Sequence, residues 1–173
     1  MRRLRFCVAT SLDGMIAGPN GEYDWIVQDP SIDFGAMFAE FDTLVMGRHT
    51  YEISRAVSGD GPVFGKETVV FSTTLQQNDY PGIRIVDRDL VQVVSELKSI
   101  AGKDIWLFGG GSLFGQLLNA DLVDAVEVGL NPVIVGAGIP MVLRNDAVRL
   151  LRLDSVRPLE SGIIMVNYSV VRR

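Results

Sequence analysis

At 173 residues and a formal net charge of -5, the chain is long enough for one well-cored domain and too acidic to grip nucleic acid over a broad face. Hydrophobic residues make up 47% and charged residues 21%, a balance that excludes a disordered chain. A single cysteine, Cys7, excludes an intrachain disulfide and any cysteine-based metal site, and no run approaches the ~18 apolar residues of a membrane span.

The basic start "MRRLRF" leads into the apolar run "LRFCVAT", which reads as a strand with Cys7 in the core and is too short for a signal-peptide core. A soluble cytoplasmic protein is the expectation. The stretch "SLDGMIAGPNGEYDW" follows, with Asp13, Asp24 and Trp25 set among Gly14, Gly18 and Gly21. That composition suits a mobile loop beside a pocket, with Asp13 and Trp25 as candidate substrate contacts. Asp13 before Gly14 is equally a common turn pair.

"SIDFGAMFAEF" predicts a helix over 31–41 with Ile32, Met37, Phe38 and Phe41 near one face. Asp33 begins it. A carboxylate there is favoured by the helix dipole alone; the alternative is a pocket carboxylate, a candidate catalytic acid that holds an amino-heterocycle or assists its protonation.

"TLVMG" is a strand ended by Gly47, and Arg48, His49 and Thr50 open the next helix. Arginine binds phosphate through a planar fork of donors, and a threonine hydroxyl with nearby N–H groups completes such a shell. An ordinary helix start is the other reading. "TVVFST" is a strand ending in Ser72, Thr73 and Thr74, hydroxyls that meet a ribose or its phosphate or merely close a strand.

"IRIVD" is a short strand, and "RDLVQVVSELKSI" places Leu90, Val93, Val94, Leu97 and Ile100 on one face of a helix stopped by Gly102. In "DIWLFGGGSLFGQLL" a strand ends in Gly109, Gly110 and Gly111, and a helix begins with Ser112 as candidate N-cap. Glycines let backbone approach a ligand closely, and a helix N-terminus is a natural seat for phosphate. Packing of helix on sheet is the plainer use of such a turn, and the pattern is not the G-x-G-x-x-G fingerprint.

"AVEVGL", "VRLLRLDSV" and "IIMVNYSVV" are the closing strands, the last two joined through "PLESG" as an antiparallel hairpin. The order predicts a single α/β domain over 1–173, with a mixed, mostly parallel sheet flanked by helices and a C-terminal antiparallel hairpin. No nucleophilic triad is available, because the one histidine belongs to the Arg48–Thr50 turn, and no His/Cys metal site is available either.

Taken together, "MGRHTYE", "VFSTT" and "LFGGGSLFGQLL" resemble the dihydrofolate reductase superfamily: its NADPH-binding turn, its site for the adenosine 2′-phosphate, and its glycine-rich turn. "SLDGMIAGPNGEYDW" and "NPVIVGAGIPM" resemble the branch related to the reductase domain of riboflavin biosynthesis, the C-terminal domain of RibD. The resemblance implies an NADPH-dependent reductase acting on a small pyrimidine- or pterin-like heterocycle, related to 5-amino-6-(5-phosphoribosylamino)uracil reductase, and a homodimer. A true dihydrofolate reductase and a catalytically silent NADPH-binding protein are the alternatives.

It further implies that Gly47, Arg48, His49, Thr50, Ser72 and Thr73 bind NADPH together with Gly109, Gly110, Gly111, Ser112, Leu113 and Phe114. The Gly109–Gly110 peptide would be cis. Ala9, Ile16 and Ala17 would line the nicotinamide pocket, and Asp33 falls where folate reductases keep an acid. The chain also departs from both patterns. Met15 stands where riboflavin-pathway reductases carry lysine, no Lys or Arg lies between Asp13 and Asp33, and Trp25 is followed by Ile26 rather than proline.

Overall fold

Side chains alternate across a strand, so the β-branched runs of this sequence have two faces to bury. In β1 (Leu4–Thr10), Leu4 and Phe6 go to one face and Cys7 to the other. The same division runs through β3 (Phe41–Gly47), β4 (Glu67–Phe71) and β6 (Asp104–Gly109): Val45, Val69, Ile105 and Leu107 join the first core, while Leu44, Met46, Val70 and Trp106 join the second. A computed structural model of the chain, describing residues 1–143 and 146–172, therefore has a sheet with helices on both faces.

The eight-stranded sheet has the order β5-β4-β3-β6-β1-β7-β10-β9, where β5 is Arg84–Val86, β7 Ala125–Leu130, β9 Leu151–Pro158 and β10 Ile164–Val170. Strands β5 through β7 in that order are parallel, and β10 runs antiparallel to both β7 and β9. A second, two-stranded sheet pairs β2 (Met15–Ala17) with β8 (Ile139–Pro140). The first core packs under α3 (Leu90–Ser99) and α4 (Gly111–Asn119); the second packs under α1 (Phe34–Ala39) and α2 (Arg48–Ser58). No helix among the described residues is long and apolar enough to cross a membrane.

Several boundaries differ from the sequence reading. The helix expected over 31–41 shrinks to Phe34–Ala39, because Phe41 gains more as the first residue of β3. There it is 1% exposed, with Trp106 at 5.2 Å and the Arg5 guanidinium 4.6 Å above its ring. The N-cap of α4 is Gly110 rather than Ser112, since the helix already begins at Gly111. Ile100, expected on the buried face of α3, is its extended C-cap and is 53% exposed. The strand expected from Val148 starts at Leu151.

Charged groups inside the fold are paired. Arg5 on β1 donates to Glu127 on β7 at 2.6 and 2.8 Å and also pairs with Glu40 and Asp104. Lys98, 2% exposed, donates to the Leu122 carbonyl at 2.6 Å and pairs with Asp124. Burial alone would raise the Asp124 carboxyl, yet hydrogen bonds from Lys98, the Leu4 N–H and Arg172 hold it below the ordinary value.

Candidate functional site

Parallel strands expose their carboxyl ends along one edge of the sheet, and in open α/β sheets that edge is where ligands bind. Here the ends of β5, β4, β3, β6 and β1 open onto a cavity of about 1140 Å³. Two helices start on its floor. α2 follows β3 directly, with Gly47 as N-cap, and α4 follows β6, with Gly110 as N-cap; neither has a side-chain capping bond. The first-turn N–H groups of a helix have no intrahelical acceptor, so two uncapped N-termini on adjacent strands form a doubled anion seat.

The close approach of these two turns explains the glycines. A Cβ built on Gly109, at φ +145°, would stand 3.2 Å from Thr50 Oγ1, and one on Gly111 would stand 2.5 Å from the Pro140 carbonyl oxygen. The Gly109–Gly110 peptide is cis.

The cavity wall brings together most residues singled out from the sequence. Ala9, Ile16 and Ala17 come from β1 and β2; Gly47, Arg48, His49 and Thr50 from the β3–α2 turn. Ser72 and Thr73 come from the end of β4, and Gly109, Gly110, Gly111, Ser112 and Leu113 from the β6–α4 turn. Phe114 is in a different place, stacked on Phe6 with ring centroids 4.0 Å apart in the core under α4. Ser72 Oγ accepts from the backbone N–H of Thr74 and Leu75 at 3.2 and 3.0 Å, which fixes the turn after β4.

Asp13, Trp25 and Asp33 are not among the wall residues. Asp33 accepts from the Ala36 N–H at 2.8 Å as the N-cap of α1. Trp25 donates through Nε1 to the Glu22 carbonyl at 3.1 Å. Asp13 accepts from Ser11 Oγ at 2.6 Å and from the N–H groups of Val135 and Gly136 at 3.1 and 2.8 Å. Those bonds lower its carboxyl to about 2, the Ser11 bond having the largest effect. The glycine-rich stretch read as a mobile loop is tied at several points. β2 pairs with β8, Met141 N–H bonds Gly14 O at 2.9 Å, and Gly18 N–H bonds Glu22 O at 2.7 Å.

Other wall residues carried no sequence signal. Arg88, after β5, lies in the segment leading to α3 beside Asp87, which it contacts through two bonds of 3.1 Å. Phe64 and Phe108 line the α2 side. Phe64 sits at φ +52°, a left-handed conformation that no bulky residue announces in advance. Cys7 also reaches the wall; burial, with Glu127 beside it, pushes its thiol up, so it acts as an apolar surface rather than a thiolate.

The donor set fits a dinucleotide. Two helix N-termini suit a pyrophosphate, and Arg48, Arg88 and the Ser72–Thr73 turn lie among the cationic and hydroxyl groups a further phosphate requires. Solved structures agree on the architecture. A putative riboflavin biosynthesis protein from Shewanella sp. PV-4 superposes with a TM-score of 0.83 at 26% identity, covering 99% of this chain and 100% of its own. Enterococcus faecalis dihydrofolate reductase, solved with NADP(H), superposes at 0.71 with 16% identity, covering 98% and 97%. The fold is thus that of the dihydrofolate reductases. The RibD C-terminal domain model matches residues 2–165, and the chain belongs to that family. It is also 33% identical over 178 residues to the uncharacterized Bacillus subtilis (strain 168) protein YyaP, covering 96% of this chain and 94% of that one. Family and fold together support a reductase-like role.

Proposed function

We propose that the chain is an NADPH-dependent reductase that passes hydride to a small nitrogen heterocycle, pyrimidine- or pterin-like. The observation that carries this reading is the meeting of the α2 and α4 N-termini, both uncapped, on the floor of one large cavity. In the reading, the first-turn N–H groups of both helices and the Thr50 hydroxyl hold the pyrophosphate, while Arg48 with Ser72 and Thr73 holds the 2′-phosphate. Ala9, Ile16 and Ala17 give the nicotinamide an apolar bed. When bound, NADPH supplies the hydride; the protein aligns two rings and excludes water between them. Asp33 is engaged as a helix cap, so the proposed proton donor is solvent rather than a side chain.

A titration of tryptophan fluorescence with NADPH and, separately, NADH tests the reading. Binding with NADPH preferred, and the preference lost in Arg48→Ala, is the expected result. Failure of both nucleotides to bind would end it.

A homodimer is part of the same proposal. Leu151, Leu153 and Val156 on the edge strand β9 are each at least 40% exposed, and they pair across to Val170, Tyr168 and Val166 on β10. They extend an apolar face past the end of the cover that α4 gives, which suits a second copy of this chain. Sedimentation showing only monomer would remove the dimer and leave the reductase reading intact.

A further inference from the structure

The cavity has two chemically different parts. Its charged wall residues, Arg48, Asp87, Arg88 and Asp89, belong to the first turn of α2 and to the segment entering α3. Further along α2 the wall changes character. Ile53 and Val57 face the cavity from the helix, and Cys7, Trp106, Phe108 and Phe64 face it from the second core and the link between α2 and β4.

The aromatic rings of this lobe brace one another. Phe64 stacks on Phe38 at 4.8 Å and meets Phe108 edge-on at 5.9 Å, and Phe108 meets Trp106 edge-on at 4.9 Å. Trp106 is further fixed by its Nε1 bond to the Cys7 carbonyl at 3.1 Å. Phe64 keeps 45% of its surface exposed at φ +52°, a conformation that costs a bulky residue free energy. The polar side chains that α2 adds to this lobe are the hydroxyls of Ser54 and Ser58. Among the described residues lining this part, none is Asp, Glu, Lys or Arg.

We infer that this lobe is the substrate seat and that it takes an uncharged, unphosphorylated planar ring compound. The inference rests on the reductase reading above, since it makes the rest of the cavity the cofactor's. A planar ring matches braced aromatic faces, which bind π-systems by stacking and by edge contact. A phosphorylated riboside would carry its dianion into a lobe with no cation to meet it, and the desolvation cost would be uncompensated. A pterin held through a carboxylate lacks its partner too, because the Asp33 side chain caps α1 outside the wall. The Ser54 hydroxyl donates to the Thr50 carbonyl at 2.8 Å, so toward a ring it can accept from an N–H, while the Ser58 hydroxyl can donate to a ring nitrogen or carbonyl.

The test uses the full chain carrying Trp25→Phe, so that Trp106 is the one remaining tryptophan of two. The probes are quinoxaline, uridine 5′-monophosphate and dihydrofolate, each titrated with and without NADPH. Saturable quenching of Trp106 by quinoxaline, unaffected by excess uridine 5′-monophosphate or dihydrofolate, is the expected result. Val57 is 75% exposed, so Val57→Lys changes the rim charge without threatening the core. It should weaken quinoxaline by at least about tenfold, and Phe64→Ala should weaken it as well. Quinoxaline that never quenches up to its solubility, or that the nucleotide or dihydrofolate displaces, overturns the inference. NADPH is titrated on the same samples and reads the cofactor part separately. Quinoxaline binding without NADPH binding would sustain the lobe and sink the reductase; the reverse would sink the lobe alone.

Discussion

Thr50 stands over Gly109 so closely that a Cβ on the glycine would lie 3.2 Å from the threonine Oγ1. Thr50 lies in the first turn of α2 and Gly109 ends β6, so this contact joins the two strand-to-helix turns on the cavity floor. Gly109→Ala therefore meets two obstacles, a backbone at φ +145° and the threonine hydroxyl. The expected loss of stability is about 1–3 kcal/mol, read from urea unfolding. Adding Thr50→Ala should recover part of it, because the clash goes while the backbone cost stays. An unchanged midpoint in the single variant would show that the turn has room the structure denies it.

Tyr51 follows Thr50 and points the other way, into the second core, where it is 1% exposed and meets the edge of Tyr80 at 5.8 Å. Its hydroxyl has no hydrogen-bond partner among the described residues. A buried hydroxyl left unpaired forfeits its hydration without return, so Tyr51→Phe should raise stability by about 1 kcal/mol. Thermal melts of the two proteins decide it. A variant less stable than the parent would mean that a water bonds the hydroxyl.

How far the sequence is legible depends on whether a feature is local. The two-sided alternation of β1, β3 and β6 is written in consecutive residues, as are the strand-glycine-helix turns at Gly47 and Gly109, and these define the sheet and the cavity floor. The length of α1 is not local, because Phe41 is claimed by Trp106 from another strand. Neither is the tethering of the glycine-rich stretch. It depends on Gly138, where a Cβ would come within 2.1 Å of the Ala17 carbonyl oxygen, and on Asp13 reaching Val135 and Gly136. The aromatic lobe was hidden for the same reason: Phe64 and Phe108 belong to separate elements, and only the left-handed backbone at Phe64 brings their rings together.

Asp13 gives the structure an acid dependence of known sign. Its carboxyl titrates at about 2 in the folded chain, against 3.8 ordinarily, because Ser11 and then the Val135 and Gly136 N–H groups bond the charged form. A depressed carboxylate contributes stability that is fully present above the unfolded value and lost as pH falls through the folded one. The contribution of Asp13 should therefore fade between pH 3.8 and about 2. Asp13→Asn removes that titration. Urea midpoints measured at about pH 5 and about pH 2 should lie closer together in the variant than in the parent, and an equal separation in the two proteins would mean that the tether carries no linkage.

Lys98 and Asp124 make the stronger electrostatic prediction, because their pair is inside. Lys98 is 2% exposed, and its ammonium has the Leu122 carbonyl and Asp124 for partners. Asp124 in turn accepts from the Leu4 N–H at 2.8 Å and from Arg172 at 2.8 Å, so one carboxylate ties α3, the first residue of β1 and the C-terminal segment together. Lys98→Met keeps the side-chain bulk and removes the charge, leaving Asp124 with an exposed arginine, Arg172, as its remaining cation. Breaking one side of a buried pair costs about 3–5 kcal/mol, and the surviving Arg172 bond puts the expected loss at the lower end. Adding Asp124→Asn removes the stranded charge while its amide oxygen still accepts from Leu4, so the double variant should be more stable than Lys98→Met alone. If the double variant is the less stable of the two, the Asp124 charge is satisfied without Lys98, and the pair is not what holds α3 to β1.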